Sequence, residues 1–130
     1  MRKDVFMKPL VIGVVGNGFA ASFHLANYHR VYGLDIRIKG AASRTAEGAK
    51  TFAERHGLDH AYASVEELIA DPEINVVDLC VPNAQHHPLV IQAAEAGKDI
   101  ICEKPLTGFF GDGKQESVGK EVARRDMFET

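Results

Sequence analysis

Three groups of residues could do chemistry, and each stands where an apolar run gives way to polar side chains. The first is Gly16-Asn17-Gly18-Phe19-Ala20-Ala21, a G-x-G-x-x-A placed directly after Leu10–Val15. Gly16 permits a tight turn, Gly18 lets backbone approach a pyrophosphate, and the small Ala21 allows a helix to pack closely on the preceding strand. A helix opening at Phe19 would add free N–H groups and a partial positive charge for phosphates. Asn17, Phe19 and Ala20 border the same turn, so the whole segment is expected to bind a dinucleotide.

The second group is Ser43-Arg44, at the end of the apolar stretch Ile36–Ala42. Sites that take NAD(H) usually carry Asp or Glu at this place, on the ribose hydroxyls. A guanidinium there can hold a 2′-phosphate and stack on adenine, while the serine can bond a hydroxyl or that phosphate. The expectation is therefore NADP or NAD, with NADP favoured; the plainer alternative is a solvated arginine opening the next helix. The third group is Pro82-Asn83-Ala84-Gln85-His86-His87 together with Cys102-Glu103-Lys104-Pro105, again following apolar runs. In doubly wound sheets the ligand lies outside the carboxyl ends of the strands, so all three groups can converge on one crevice.

The elements that must position them follow from periodicity and from start and stop signals. Strands are expected at Leu10 to Val15, Ile36 to Ala42, His60 to Ala63, Asn75 to Val81 and Asp99 to Cys102. A helix is expected from Phe19 to about His29, with Gly33 closing the segment. A second runs from the N-cap Thr45 to Gly57, with Ala46, Ala49 and Ala53 on one face. Ser64 to Glu67 has the spacing of a capping box, and Asp71-Pro72 ends the helix it opens. Pro88 to Ala96, stopped by Gly97, makes the last helix. Strands alternating with helices, without hairpin signals, give an α/β class with a Rossmann-type, doubly wound parallel sheet.

With the elements in place, the motif set resembles the Gfo/Idh/MocA oxidoreductases, which include glucose-fructose oxidoreductase and inositol dehydrogenase. The residues that carry the likeness are the glycine fingerprint, Pro82-Asn83-x-x-His86, Ala94-Glu95-Ala96-Gly97-Lys98 and above all Glu103-Lys104-Pro105, within residues 10 to 106. The resemblance implies that Glu103 lies near the nicotinamide ribose and that Lys104 faces the substrate carbon that gives or receives hydride. It likewise implies that Pro82, Asn83 and His86 line the nicotinamide end of the cleft. Lys104 is thus the expected catalytic residue, its ammonium stabilising alkoxide character or relaying the hydroxyl proton. Family enzymes continue into a second α/β domain that supplies most substrate contacts and the oligomer interface, and that substrate domain is expected to be absent from these residues. Residues 1–106 are then the NAD(P)-binding domain, and 107–130 a flexible linker or truncated start of the next. Alone, the chain is expected to be inactive on the sugar- or polyol-like substrates of the family.

Composition agrees with a small-molecule enzyme. The chain has 130 residues, 45% hydrophobic and 25% charged, and a net charge of −3. That length suits one domain, and the lack of a basic excess argues against nucleic acid or an anionic membrane as partner. Two widely separated cysteines, Cys80 and Cys102, form no ligand or CxxC pattern and read as small buried hydrophobes in a reduced, cytoplasmic protein. The start of the chain is basic and then apolar, but glycines interrupt the apolar run and no clean cleavage site follows, so no signal peptide is expected.

Gly108 to Lys114 has the spacing of a phosphate-binding loop, yet Gln115 replaces the Ser or Thr that would hold magnesium. The His86-His87 pair has no further ligand cluster beside it; no metal is expected, and His87 is left to solvent. Asp78, inside an apolar strand, has no account at this level. Two other classes fit parts of the pattern: a non-catalytic dinucleotide sensor, which Glu103-Lys104-Pro105 argues against, and an S-adenosylmethionine-dependent methyltransferase, which the motifs after the fourth and fifth strands disfavour. A homo-oligomer is possible, with Phe109, Phe110 and Phe128 as exposed apolar surface.

Overall fold

The β-branched run Leu10–Val15 forms strand β1 at the centre of a five-stranded sheet, where burial on both faces favours such residues. The computed structural model describes residues 8–106. In chain order these form α1 (Phe19–Tyr28), β2 (Ile36–Ala42), α2 (Ala46–His56), β3 (His60–Ala61), α3 (Val65–Ala70), β4 (Val76–Leu79), a 3₁₀ turn (Asn83–Gln85), α4 (His86–Glu95) and β5 (Asp99–Cys102). All pairings are parallel, and the strand order is β3-β2-β1-β4-β5. The doubly wound Rossmann arrangement expected from the alternation of elements is the one observed.

Local signals hold where they are strong. The Thr45 hydroxyl caps α2 by accepting from the Gly48 N–H at 3.1 Å, and Gly57 ends that helix in the left-handed region. Ser64 accepts from the Glu67 N–H at 3.1 Å, while the Glu67 carboxylate reaches back to the Ala63 N–H rather than to Ser64 itself. Boundaries shift where tertiary pairing decides. The third strand is shorter than His60 to Ala63 because only Gly40 and Ala41 of β2 pair with it. The fourth pairs from Val76 to Leu79 rather than from Asn75 to Val81. The last helix begins at His86, so Pro88 stands in its first turn. On α2 the buried stripe is Ala49, Phe52 and Ala53, and Ala46 is exposed.

Alternation along β1 divides the core. Ile12 and Val14 face α1 and α2 with Ala21, Leu25 and Phe52, while Val15 joins Leu68, Ile69 and Ala93 beneath α3 and α4. In β4 the same pleat sends Val77 and Leu79 to the α3 and α4 side. Val76 lies on the α1 side, and Asp78 points the same way. A bulge interrupts β2: Ile12 pairs with Ile38 and Gly13 with Gly40, leaving Lys39 as the extra residue. No helix among the described residues is long and apolar enough to cross a membrane.

Candidate functional site

The two glycines of the first turn have different duties. Gly16 has a φ of 122°, and a Cβ there would stand 2.2 Å from the Cys80 carbonyl oxygen, so the fold itself demands glycine. Gly18 has an ordinary φ of −93°, and a Cβ there would meet nothing within 4 Å. The space in front of Gly18 is open, at the entrance to α1. That helix has no side-chain cap and no acidic residue in its first turn. By contrast, α2 has Thr45 and Glu47, and α3 has Ser64, Glu66 and Glu67. The first N–H groups of α1 are therefore left for an acceptor from outside the chain, which fits the pyrophosphate of a dinucleotide.

A crevice of about 400 Å³ lies over this entrance, and its walls include Gly16, Asn17, Gly18, Ser43, Arg44 and Pro82. Three of the expected segments, far apart in sequence, thus meet at the carboxyl edge of the sheet, while Glu103 and Lys104 are not among the residues that line this crevice. Ser43 is buried and its hydroxyl donates to the Thr45 carbonyl at 2.7 Å, leaving oxygen lone pairs as acceptors; Arg44 is exposed. Phe19 lies outside this crevice, 85% exposed and stacked on Phe23 with ring centroids 6.0 Å apart. Ala20 is partly buried behind the turn and Asn83 is exposed on the 3₁₀ turn.

His86 requires a correction of place. The sequence puts it on the cleft wall, but the ring is fully buried beneath it, with Nδ1 at 2.8 Å from the Pro105 carbonyl and Nε2 at 3.0 Å from the Val81 carbonyl. Because it begins α4 on the inward side, it ties the end of β5 to the segment after β4; His87 is exposed. Lys104, after β5, is exposed.

Asp78 now has an account, through two residues that periodicity alone did not single out as polar partners. The Tyr28 hydroxyl donates to Asp78 Oδ2 at 2.7 Å, and His24 Nδ1 lies 2.9 Å from the same oxygen. His24 Nε2 lies 2.8 Å from Glu103 Oε1. Burial lowers the His24 pKa, but the bonds and charges of Asp78 and Glu103 more than offset this and hold it above its ordinary value. The His24 bond in turn holds the Glu103 carboxyl below its usual range. The available signal was the i, i+4 spacing of His24 and Tyr28, combined with an aspartate that burial obliges to find partners.

Cys80 and Cys102 are half-buried and unpaired, with more polar neighbours than small hydrophobes require. Cys80 Sγ lies 3.4 Å from Asp78 Oδ1 and 3.3 Å from His24 Nδ1, and Cys102 Sγ lies 3.4 Å from the Glu103 carbonyl. The donor atoms of His24, Asp78 and Cys80 fall within 4.8 Å of one another. Burial and the Asp78 charge push the Cys80 thiol up, and the three side chains are hydrogen-bonded to one another.

A doubly wound parallel sheet, with an uncapped glycine-rich helix entrance opening on a crevice at its carboxyl edge, defines a dinucleotide-binding domain. The family model for the oxidoreductase family with an NAD-binding Rossmann fold matches residues 10–117, and the chain belongs to this family, Gfo/Idh/MocA. It is 38% identical over 107 residues to levoglucosan dehydrogenase of Pseudarthrobacter phenanthrenivorans, covering 77% of this chain and 27% of that one. To human trans-1,2-dihydrobenzene-1,2-diol dehydrogenase it is 32% identical over 112 residues, covering 86% and 33%. The structure of levoglucosan dehydrogenase in complex with NADH and levoglucosan superposes with a TM-score of 0.72 at 36% identity, over 77% of this chain and 29% of that one. A putative NADPH-dependent oxidoreductase from Desulfitobacterium hafniense superposes at 0.70 with 27% identity, over 78% and 28%. The chain thus spans about a third or less of the length of these relatives.

Proposed function

We propose that this chain is the part of a sugar- or polyol-type dehydrogenase that holds NADP(H) or NAD(H), with the phosphates at the entrance of α1 and the reacting end beside Glu103 and Lys104. The observation that carries this is the open, uncapped helix entrance at Gly18, continuous with the crevice along the strand ends. When bound, the nicotinamide supplies the hydride chemistry. Gly16 and Gly18 keep the backbone low so that the first N–H groups of α1 meet the pyrophosphate. Ser43 and Arg44 meet the adenosine ribose, where the guanidinium favours a 2′-phosphate and hence NADP(H). Asn17 and Pro82 border the crevice between these ends, with Asn83 beyond it.

Lys104, exposed after β5, is the group that would stand beside the substrate hydroxyl. Its ammonium would stabilise the developing alkoxide or relay the proton, and Glu103 would orient the cofactor's ribose. The relatives named for levoglucosan and for a dihydrodiol support a polyhydroxylated or cyclic alcohol as substrate class. Substrate itself must also be gripped from the side facing the crevice, so the chain by itself is expected to bind cofactor weakly and turn nothing over.

Titrating the chain with NADPH and NADH tests the reading. NADPH is expected to bind more tightly, and tighter NADH binding would sink the cofactor preference. Gly18→Ala should leave thermal stability within about 0.5 kcal/mol, since its methyl meets nothing. It should also weaken either cofactor by about tenfold or more by blocking close approach of the pyrophosphate. Unchanged affinity in this variant would remove the phosphate site from α1.

A further inference from the structure

We propose that His24 is a positioning residue, an imidazolium clamp that ties Glu103 to the cofactor-binding helix α1 and so keeps the reacting end of the site in register with the phosphate end. This rests on the reading that phosphates bind at Gly18 and that Glu103 lies near the nicotinamide.

The geometry has three parts. His24 stands on α1 itself, between the Gly18 entrance and the helix end. Its two ring nitrogens face two carboxylates on different strands' ends, Asp78 of β4 at 2.9 Å and Glu103 after β5 at 2.8 Å. Asp78 is fully buried, and Tyr28, one turn further along α1, fixes the same oxygen from the other side. A carboxylate offers only acceptors, so satisfying both bonds requires an N–H on each nitrogen, which is the charged ring. A neutral ring has one N–H and would turn a lone pair toward one of the carboxylates.

Consequences follow for Glu103. Its side chain is 40% exposed, and an ion pair that open ordinarily fixes little. Here the partner ring is itself held by a buried carboxylate, so the pin is rigid on the protein side. The link joins residues 79 positions apart, from the first helix to the end of the last described strand. A displacement of α1 by phosphate binding would therefore be felt directly at Glu103.

The titratable groups facing the ring are Tyr28 on its own helix, Asp78 and Cys80 from β4 and its end, and Glu103. Burial pushes both the Tyr28 hydroxyl and the Cys80 thiol up, away from neutral pH. Of these groups, His24 is the one whose ordinary range lies nearest neutrality. Since its folded value is raised, the clamp is complete below the ordinary histidine value of about 6.5 and is lost as pH rises through the higher folded value.

Nitrogen-detected NMR of the 130-residue chain, labelled at histidine, reads the ring directly. Both His24 nitrogens should carry protons at pH 7, and Glu103→Gln should lower the titration midpoint. A neutral ring at pH 7, or a midpoint untouched by Glu103→Gln, would overturn the clamp. Cofactor titrations add the functional consequence: affinity should fall as pH rises through the His24 midpoint. His24→Gln and Glu103→Gln should each weaken binding about tenfold, and the double variant should be little weaker than either. Wild-type pH dependence and affinity in His24→Gln, with binding lost in Gly18→Ala, would sink the clamp and spare the function. A wild-type chain that binds neither cofactor would sink the function, and the ring titration would still decide whether the imidazolium exists.

Discussion

Asp71 and Asp78 each accept from a tyrosine hydroxyl and from a nitrogen-bearing side chain, yet they serve opposite edges of one sheet. Asp71 follows α3, where the chain is about to enter β4, and takes bonds from Tyr62 at 2.6 Å and Lys39 at 2.7 Å, with the Glu73 N–H on its other oxygen. Lys39 also pairs with Glu73, and Lys98 donates to the Asp71 and Ile74 carbonyls. That network also ends at a carboxylate open to solvent, Glu73, at the edge where the chain enters β4. The Asp78 network instead passes through His24 to Glu103, a partly exposed glutamate just after β5 at the carboxyl edge. An aspartate bonded to a tyrosine and a nitrogen-bearing side chain therefore says little about function by itself; what separates the two is which edge of the sheet the chain of bonds reaches, the carboxyl edge being where a ligand binds in such folds.

The sharpest way to break this comparison is Asp78→Ala. It leaves the Tyr28 hydroxyl and the His24 ring without their shared acceptor, and should cost about 3 kcal/mol in urea unfolding. If the crevice network serves a ligand as well as the fold, the cofactor affinity of the folded fraction should fall too. A loss confined to stability would make the two networks equivalent.

Acid should separate them next. The Lys39 bond first, then the Tyr62 hydroxyl, hold the Asp71 carboxyl well below the usual carboxylate range. A depressed folded value gives stability that is present above the unfolded value of about 3.9 and is lost as pH falls through the folded one. Lys39→Met should therefore raise the pH midpoint of acid unfolding, followed by circular dichroism, without changing the cofactor affinity of the folded chain at pH 7.

The smallest effects come from matched hydroxyl deletions. Tyr62→Phe and Tyr28→Phe should each cost about 1 kcal/mol, read from denaturant midpoints. Only Tyr28→Phe should also move the His24 titration, because only that hydroxyl shares an oxygen with the ring. An equal response of His24 to both would erase the distinction.

Much of the architecture was legible because it rests on short-range rules. The apolar runs that became β1, β2 and β5, the caps Thr45 and Ser64, and the stops at Gly57 and Gly97 act over a few residues. The crevice was legible in part: Gly16, Asn17, Gly18, Ser43, Arg44 and Pro82 do meet. His86 was placed on the wrong side of the wall, since a histidine beginning a helix has no local mark of which way it faces. Lys39 has the same illegibility, because the bulge that singles it out in β2 exists only through pairing with β1. Phe109, Phe110 and Phe128 lie outside the described residues.

By itself the sequence determined the order of strands and helices, the tight turn at Gly16 and the family, since periodicity, caps and motif spacing are written along the chain. Tertiary structure alone decided that Asp78 meets Tyr28 and His24, that His24 reaches Glu103, and that His86 is buried. Those partners lie 50 to 79 positions apart or depend on which face an element presents. Only packing α1 across the ends of β4 and β5 brings them within bonding distance.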